Sequence, residues 1–161
     1  MKLSFSTRGW LDMRWDEMLD AAREMGFAGI EIYSVFRTPE LYGRGGPLHK
    51  YNVASTARTL REKQLRIPCF DSSYDLSEAD DEMLEAVRKL ISLSSDMRVP
   101  YISIFAKHES PERVTQALEA LIPFAEEKNV TILMKTSGIF SDTARLRDLL
   151  NHFACDRLAV L

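Results

Sequence analysis

The sequence lacks the long runs and tight clusters that mark many protein classes. Its longest apolar stretches, such as Ala120 to Ala125, fall far short of the roughly 20 residues that a helical membrane span needs. It has only two cysteines, Cys69 and Cys155, without metal-ligand spacing, which predicts buried thiols in a reducing compartment. Basic residues are the minority, 21 against 24 acidic, for a net charge of −3 and a pI of about 5.7. Such a balance offers no basic field to nucleic acid or to an anionic membrane. Three histidines are few for a zinc nuclease, and no Ser-His-Asp or Cys-His constellation can be assembled. Met1-Lys2-Leu3 leads straight into a strand pattern without a signal-peptide core, so a cytoplasmic location is expected. With no linker and no low-complexity stretch, residues 1–161 read as a single domain.

What the sequence does have is alternation. Short runs rich in Val, Ile, Phe and Tyr recur about every 30 residues: KLSFST, GIEIYS, IPCFDSS, YISIFAK, VTILMK and RLAVL. Between them lie segments of helical periodicity. Their apolar stripes are Trp15, Met18, Leu19 and Ala22; then Val53, Ala57 and Leu60; then Met83, Leu84, Val87, Leu90, Ile91 and Ser94. Two more follow, Val114, Ala117, Leu118, Leu121 and Ala125, then Leu146, Leu149, Leu150 and Phe153. Asn52 is a suitable N-cap, Gly26 a helix stop, and Pro123 predicts a kink or early end of its helix. Arg37 to Asn52 reads as one long irregular loop.

Five βα repeats and a sixth strand imply a parallel sheet with right-handed crossovers. An open doubly wound sheet would be complete at this length, whereas a (β/α)8 barrel needs about 250 residues. Strand parity favours the barrel nonetheless. One parity is apolar throughout: Leu3 and Phe5, Ile30 and Ile32, Ile102 and Ile104, Ile132 and Met134. The other turns polar toward each strand's C-terminal end: Ser6 and Arg8, Glu31 and Tyr33, Asp71, Lys107, Lys135. A barrel whose inner face opens into a site at that end accounts for the asymmetry. Nor does a glycine-rich phosphate loop follow the first strand, where STRGWLD stands.

The segments LSFSTRGW, MLDAAREMGFAGIEIYSVF, IPCFDSSYDL, VPYISIFAK and VTILMKTSGIFSDTARLRDLL resemble, in order, successive parts of the xylose-isomerase-like TIM barrels. That group includes sugar phosphate isomerases and epimerases and is related to apurinic endonucleases. The resemblance implies an incomplete (β/α)8 TIM barrel, five βα units plus a sixth strand, truncated at strand six. It implies a sugar or sugar phosphate as small-molecule ligand and proton transfer next to a sugar carbonyl as parental chemistry. The 161-residue chain itself is expected to be inactive, with open sheet edges through which it could form a homo-oligomer. The resemblance also implies a divalent metal, for which family members place a Glu at the end of the fifth strand. This sequence has Lys135 there, followed by Thr136, Ser137 and Gly138. A protonated lysine has no lone pair to ligate a hard cation, so no metal ligand is assigned and the cofactor stays open.

Lys135 has three readings: an ion pair with Glu31 or Asp71 in place of a metal, a catalytic or anion-binding role, or a solvated charge. Desolvated, it could instead act as the nucleophile of a lysine-dependent lyase or aldolase. A non-catalytic degenerate barrel is the remaining alternative. Arg8, Tyr33, Asp71 and Lys107 are candidate substrate-binding residues at strand ends, and His49 could reach the site from the long loop.

Overall fold

The computed structural model describes residues 2–10 and 12–161, and in it the six runs become six strands of one sheet. They are β1 (Ser4–Ser6), β2 (Gly29–Tyr33), β3 (Cys69–Asp75), β4 (Tyr101–Phe105), β5 (Thr131–Met134) and β6 (Leu158–Val160). Each pairs in parallel with the next, so the spatial order is the sequence order, β1 to β6. The helices are α1 (Trp15–Glu24), α2 (Pro39–Tyr42), α3 (Val53–Glu62), α4 (Asp81–Met97), α5 (Pro111–Glu127) and α6 (Thr143–Phe153). Among the described residues β1 and β6 do not pair with each other, so the sheet is an unclosed, incomplete barrel.

The parity argument survives in the burial. Ile30, Ile32, Phe70, Ile102, Ile104, Ile132 and Met134 are fully buried in one cluster with helix residues such as Leu19, Val87, Ile91, Leu118 and Leu121. Cys69 and Leu133, of the opposite parity, are buried but stand outside that cluster. Register places Tyr33, Asp71, Ser103, Leu133 and Ala159 in one row across β2 to β6, on the face away from the helices. A one-residue slip would bring the isoleucines to the polar face, so the apolar pattern itself fixes this row.

Three local expectations turn out differently. Helix α5 runs through Pro123 to Glu127 rather than ending there. Leu121, Ile122 and Ala125 are buried on both sides of the proline, and this packing outweighs the one missing ladder bond. Asn52 occupies the N-cap of α3 without a side-chain capping bond. Its Nδ2 donates instead to the Gly46 carbonyl at 2.8 Å and helps fasten the preceding loop. That loop is not wholly irregular, because Thr38-Pro39 starts the four-residue α2 and Leu41 and Leu48 are buried beneath it.

After β5 the chain turns sharply at Gly138, whose φ is +61°. A Cβ at this position would collide with the Ala106 carbonyl, and the Gly138 turn is also where Ile139 N–H reaches that same carbonyl at 3.1 Å. Gly138→Ala is therefore expected to lower stability by more than the ~1 kcal/mol by which an unstrained Gly→Ala exchange raises it, because strain and collision outweigh that gain. Urea unfolding of the variant measures it; an unchanged midpoint would contradict this account.

Candidate functional site

The polar ends of the odd-parity rows meet at the C-terminal side of the sheet. Lys135, the first residue after β5, anchors its N–H on the Ile104 carbonyl at 2.9 Å, which fixes it beside β4. Its ammonium reaches past β4 and donates to Asp71 Oδ2 at 2.5 Å. The Asp71 side chain is only 4% exposed and that of Lys135 is 24% exposed. Burying a lone carboxylate is expensive, and the ammonium is its counter-charge.

The second Asp71 oxygen is also held. Oδ1 accepts the Ser73 N–H at 3.1 Å, while the Asp71 carbonyl accepts the Ser34 N–H at 2.8 Å. Ser34 and Ser73 both adopt left-handed backbone, φ +54° and +53°, and Ser73 Oγ donates to Ser34 Oγ at 2.8 Å. Two strained residues, one just after β2 and one in β3, thus close around the buried acid. Tyr33 lies beside Asp71 in the register, and its N–H donates to the buried Thr7 Oγ1 at 2.9 Å. The Arg8 guanidinium sits over the Tyr33 ring, 5.3 Å from its centroid. Of the sequence-derived candidates, then, Lys135 joins Asp71, and Arg8 joins Tyr33 next to it.

Lys107 and His49 have other neighbours. The Lys107 N–H donates to Asp75 Oδ1 at 3.0 Å while the residue itself is exposed. His49 stacks between Tyr42 and Tyr51, with ring centroids at 6.3 and 5.1 Å. A cleft of about 870 Å³ does not contain the ion pair. It runs between the β1–α1 loop and α3, lined by Thr7, Trp10, Trp15, Thr38 and Lys63. Its size alone argues for no chemistry; the buried ion pair does.

Sequence reasoning missed a second polar knot. Asp75 Oδ1 accepts from the Ser77 N–H at 3.0 Å and the Ser77 hydroxyl at 2.5 Å, besides Lys107. The Ser77 hydroxyl in turn accepts the His108 N–H at 3.0 Å. His108 Nε2 lies 3.2 Å from Glu78 Oε1 and 3.9 Å from Asp75 Oδ2. Asp75, Glu78 and His108 bring one potential ligand atom each within 4.8 Å of one another. Their hydrogen bonds clip the loop after β3 to the loop after β4, and the Asp-x-Ser spacing at 75–77 was the available sign of it.

Beneath the ion pair, Ser103 is fully buried and its Oγ makes no hydrogen bond. Cys69 lies one row lower on β3. Burial pushes its thiol up to about 12, the Glu31 charge adds to this, and the nearby Ser103 hydroxyl opposes it without reaching hydrogen-bond geometry. Cys69 is thus a neutral thiol at physiological pH, neither nucleophile nor ligand. Between its ordinary value of 9.0 and about 12, the folded chain keeps a proton that the unfolded chain releases. Stability therefore falls as pH rises through this window, by up to about 1.4 kcal/mol per pH unit. Urea melts at pH 8 and 10.5 should show a drop that is smaller in Cys69→Ala; equal drops in both would contradict the shift.

The donor set does not fit a divalent metal on this face. The strand-five position carries an ammonium bound to Asp71 Oδ2, Asp71 Oδ1 accepts the Ser73 N–H, Cys69 and Ser103 are neutral, and Glu31 is left as a single further carboxylate.

Comparison with known proteins completes the description. A family model described as xylose isomerase-like TIM barrel matches residues 19–161. No curated protein matches the chain. Among solved structures, the probable 3-DHS dehydratase AsbF involved in petrobactin synthesis from Bacillus anthracis superposes with a TM-score of 0.81 at 18% identity. That match covers 99% of this chain and 62% of the other. The 3-keto-D-glucoside 4-epimerase YcjR of E. coli gives 0.78 at 13% identity, over 99% of this chain and 67% of that one. A D-psicose 3-epimerase, crystallised in the presence of D-fructose, gives 0.72 at 12% identity, over 99% and 62%. The chain thus spans about three fifths of the length of several structures it matches. No helix of the described residues is long and apolar enough to cross a membrane.

Proposed function

The chain belongs to the xylose isomerase-like TIM barrel family, and we propose that its polar face takes part in proton transfer next to the carbonyl of a small sugar or sugar phosphate. The observation that carries this reading is the buried Lys135–Asp71 ion pair at the C-terminal end of the sheet. Isomerisation and epimerisation at a carbonyl pass through an enediolate, whose developing negative charge needs a fixed positive partner. Lys135 supplies it, and Asp71 orients the ammonium. Asp71 accepts one of its three N–H groups, and Lys135 is partly exposed, so a substrate oxygen can take up another. Tyr33 offers a ring face to the sugar, and Arg8 above it offers a guanidinium to a phosphate or hydroxyl. The epimerases among the structural neighbours act on such sugars, which supports the ligand class.

A lysine nucleophile needs a free amine. An ammonium held on a buried carboxylate has no lone pair to offer, which favours the electrophilic role over the lyase alternative. The test uses the protein with whatever sequence completes its barrel. It should catalyse deuterium exchange from D2O at the carbon next to the carbonyl of a ketose or ketose phosphate. Lys135→Met should slow this by about 10²–10³, the usual cost of losing one oxyanion donor. Borohydride trapping of a sugar on Lys135 would move the assignment to the lyase. Absence of both exchange and sugar binding would leave a non-catalytic barrel.

A further inference from the structure

We infer that the Lys135 ammonium occupies the place of a divalent cation, so that the polar face of this chain is a metal-independent centre in which the positive charge beside Asp71 is a side chain. The site differs in kind from one that merely lacks an ion. A metal bound through the Asp71 carboxylate would meet the ammonium already held on its Oδ2 at 2.5 Å, while Oδ1 accepts the Ser73 N–H at 3.1 Å. An ion entering there would have to displace the ammonium and then sit beside it, cation against cation. One carboxylate of the face remains, Glu31 on β2, two residues before Tyr33 and near enough to Cys69 to push its thiol up, and it does not offset the repulsion between an entering cation and the ammonium. Cys69 is a neutral thiol, Ser103 a neutral hydroxyl, and Leu133 stands between Ser103 and Ala159 in the row.

The polar framework is also built for an ammonium. The left-handed Ser34 and Ser73 fasten the Asp71 backbone and Oδ1, leaving Oδ2 free to face β5. From β5, a long flexible side chain reaches over β4 to meet it. A glutamate at 135 would instead face Asp71 with like charge, an arrangement that only a bridging cation would stabilise. The ligand class follows from the difference. A divalent ion chelates two adjacent oxygens, whereas an ammonium donates single hydrogen bonds to separate acceptors. The site is therefore suited to one carbonyl or enolate oxygen at a time. This selectivity rests on the carbonyl chemistry proposed above; the exclusion of a metal does not.

The experiment reads metal binding without any substrate. Thermal melts of the protein, of Lys135→Glu and of Lys135→Glu/Asp71→Asn are recorded with EDTA and with millimolar Mn²⁺. The parent should melt at the same temperature in both. Lys135→Glu should melt lower in EDTA and be raised by Mn²⁺, because a ligand of the folded state stabilises it by mass action. The double variant should lose that response. Mn²⁺ stabilisation of the parent that Asp71→Asn abolishes would overturn the inference. So would a Lys135→Glu protein that Mn²⁺ does not stabilise, whether folded or unfolded. Failure of the deuterium-exchange test alone would remove the sugar assignment and leave this result standing.

Discussion

Lys135→Met is expected to cost the fold about 3–5 kcal/mol, among the largest losses of any single polar substitution in the chain, because it strands a buried carboxylate. The magnitude follows from asymmetry. Asp71 is 4% exposed at the side chain, and among the described residues the Ser73 N–H is the only other hydrogen-bond partner of its carboxylate. Little of it faces the water that would replace the ammonium. The reciprocal change, Asp71→Asn, should cost less, since Lys135 is 24% exposed and can turn toward solvent. The double variant Lys135→Met/Asp71→Asn should recover much of the loss, because a neutral amide beside a thioether has no charge to strand. Urea denaturation of the three proteins closes a double-mutant cycle. A coupling energy near zero would mean that the pair is loose and that Lys135 spends its time in solvent.

The fold was legible in the sequence because two periodicities agree with it. The 3.6-residue stripes put Leu19, Val87, Ile91, Leu118 and Leu121 on one side of their helices, and all are buried against the sheet. The two-residue alternation in GIEIY and YISIF put the isoleucines toward those helices and Glu31, Tyr33 and Ser103 away from them. Of the site, the position of Lys135 at a strand end was legible, as was its choice of Asp71 or Glu31 as partner. Which carboxylate it takes was not, because the answer depends on register across two strand pairs. The Asp75–Ser77–His108 knot escaped notice for a related reason. Its bonds join residues 31 and 32 positions apart, where no local pattern reaches. The ring neighbours of His49, Tyr42 and Tyr51, were not legible either, because they belong to the segment between β2 and α3 rather than to a periodic stripe.

These 161 residues expressed by themselves are expected to self-associate rather than to exist as a stable monomer. In the described sheet β1 and β6 each have a neighbour on one side only, so each presents a row of unpaired backbone donors and acceptors. The flanking apolar residues are wet: Leu3 is 54% exposed, Val160 40% and Leu161 51%. Each large side chain left in water forgoes roughly 1.5–3 kcal/mol, against about 5–15 kcal/mol for the whole stability of a domain. Pairing edge to edge with a second copy would satisfy both the backbone groups and these side chains, while the three-residue length of each edge strand limits how firm such a joint can be. The expected result is a concentration-dependent sedimentation coefficient and a melting temperature that rises with protein concentration. Placing charge on the edge, as in Val160→Lys with Leu161→Lys, should shift the material toward monomer and lower its melting temperature, because the lost association was part of its stability. A monomer at all concentrations, melting in one sharp transition that the lysines leave unchanged, would show that the six-stranded sheet is self-sufficient and that its edges are inert.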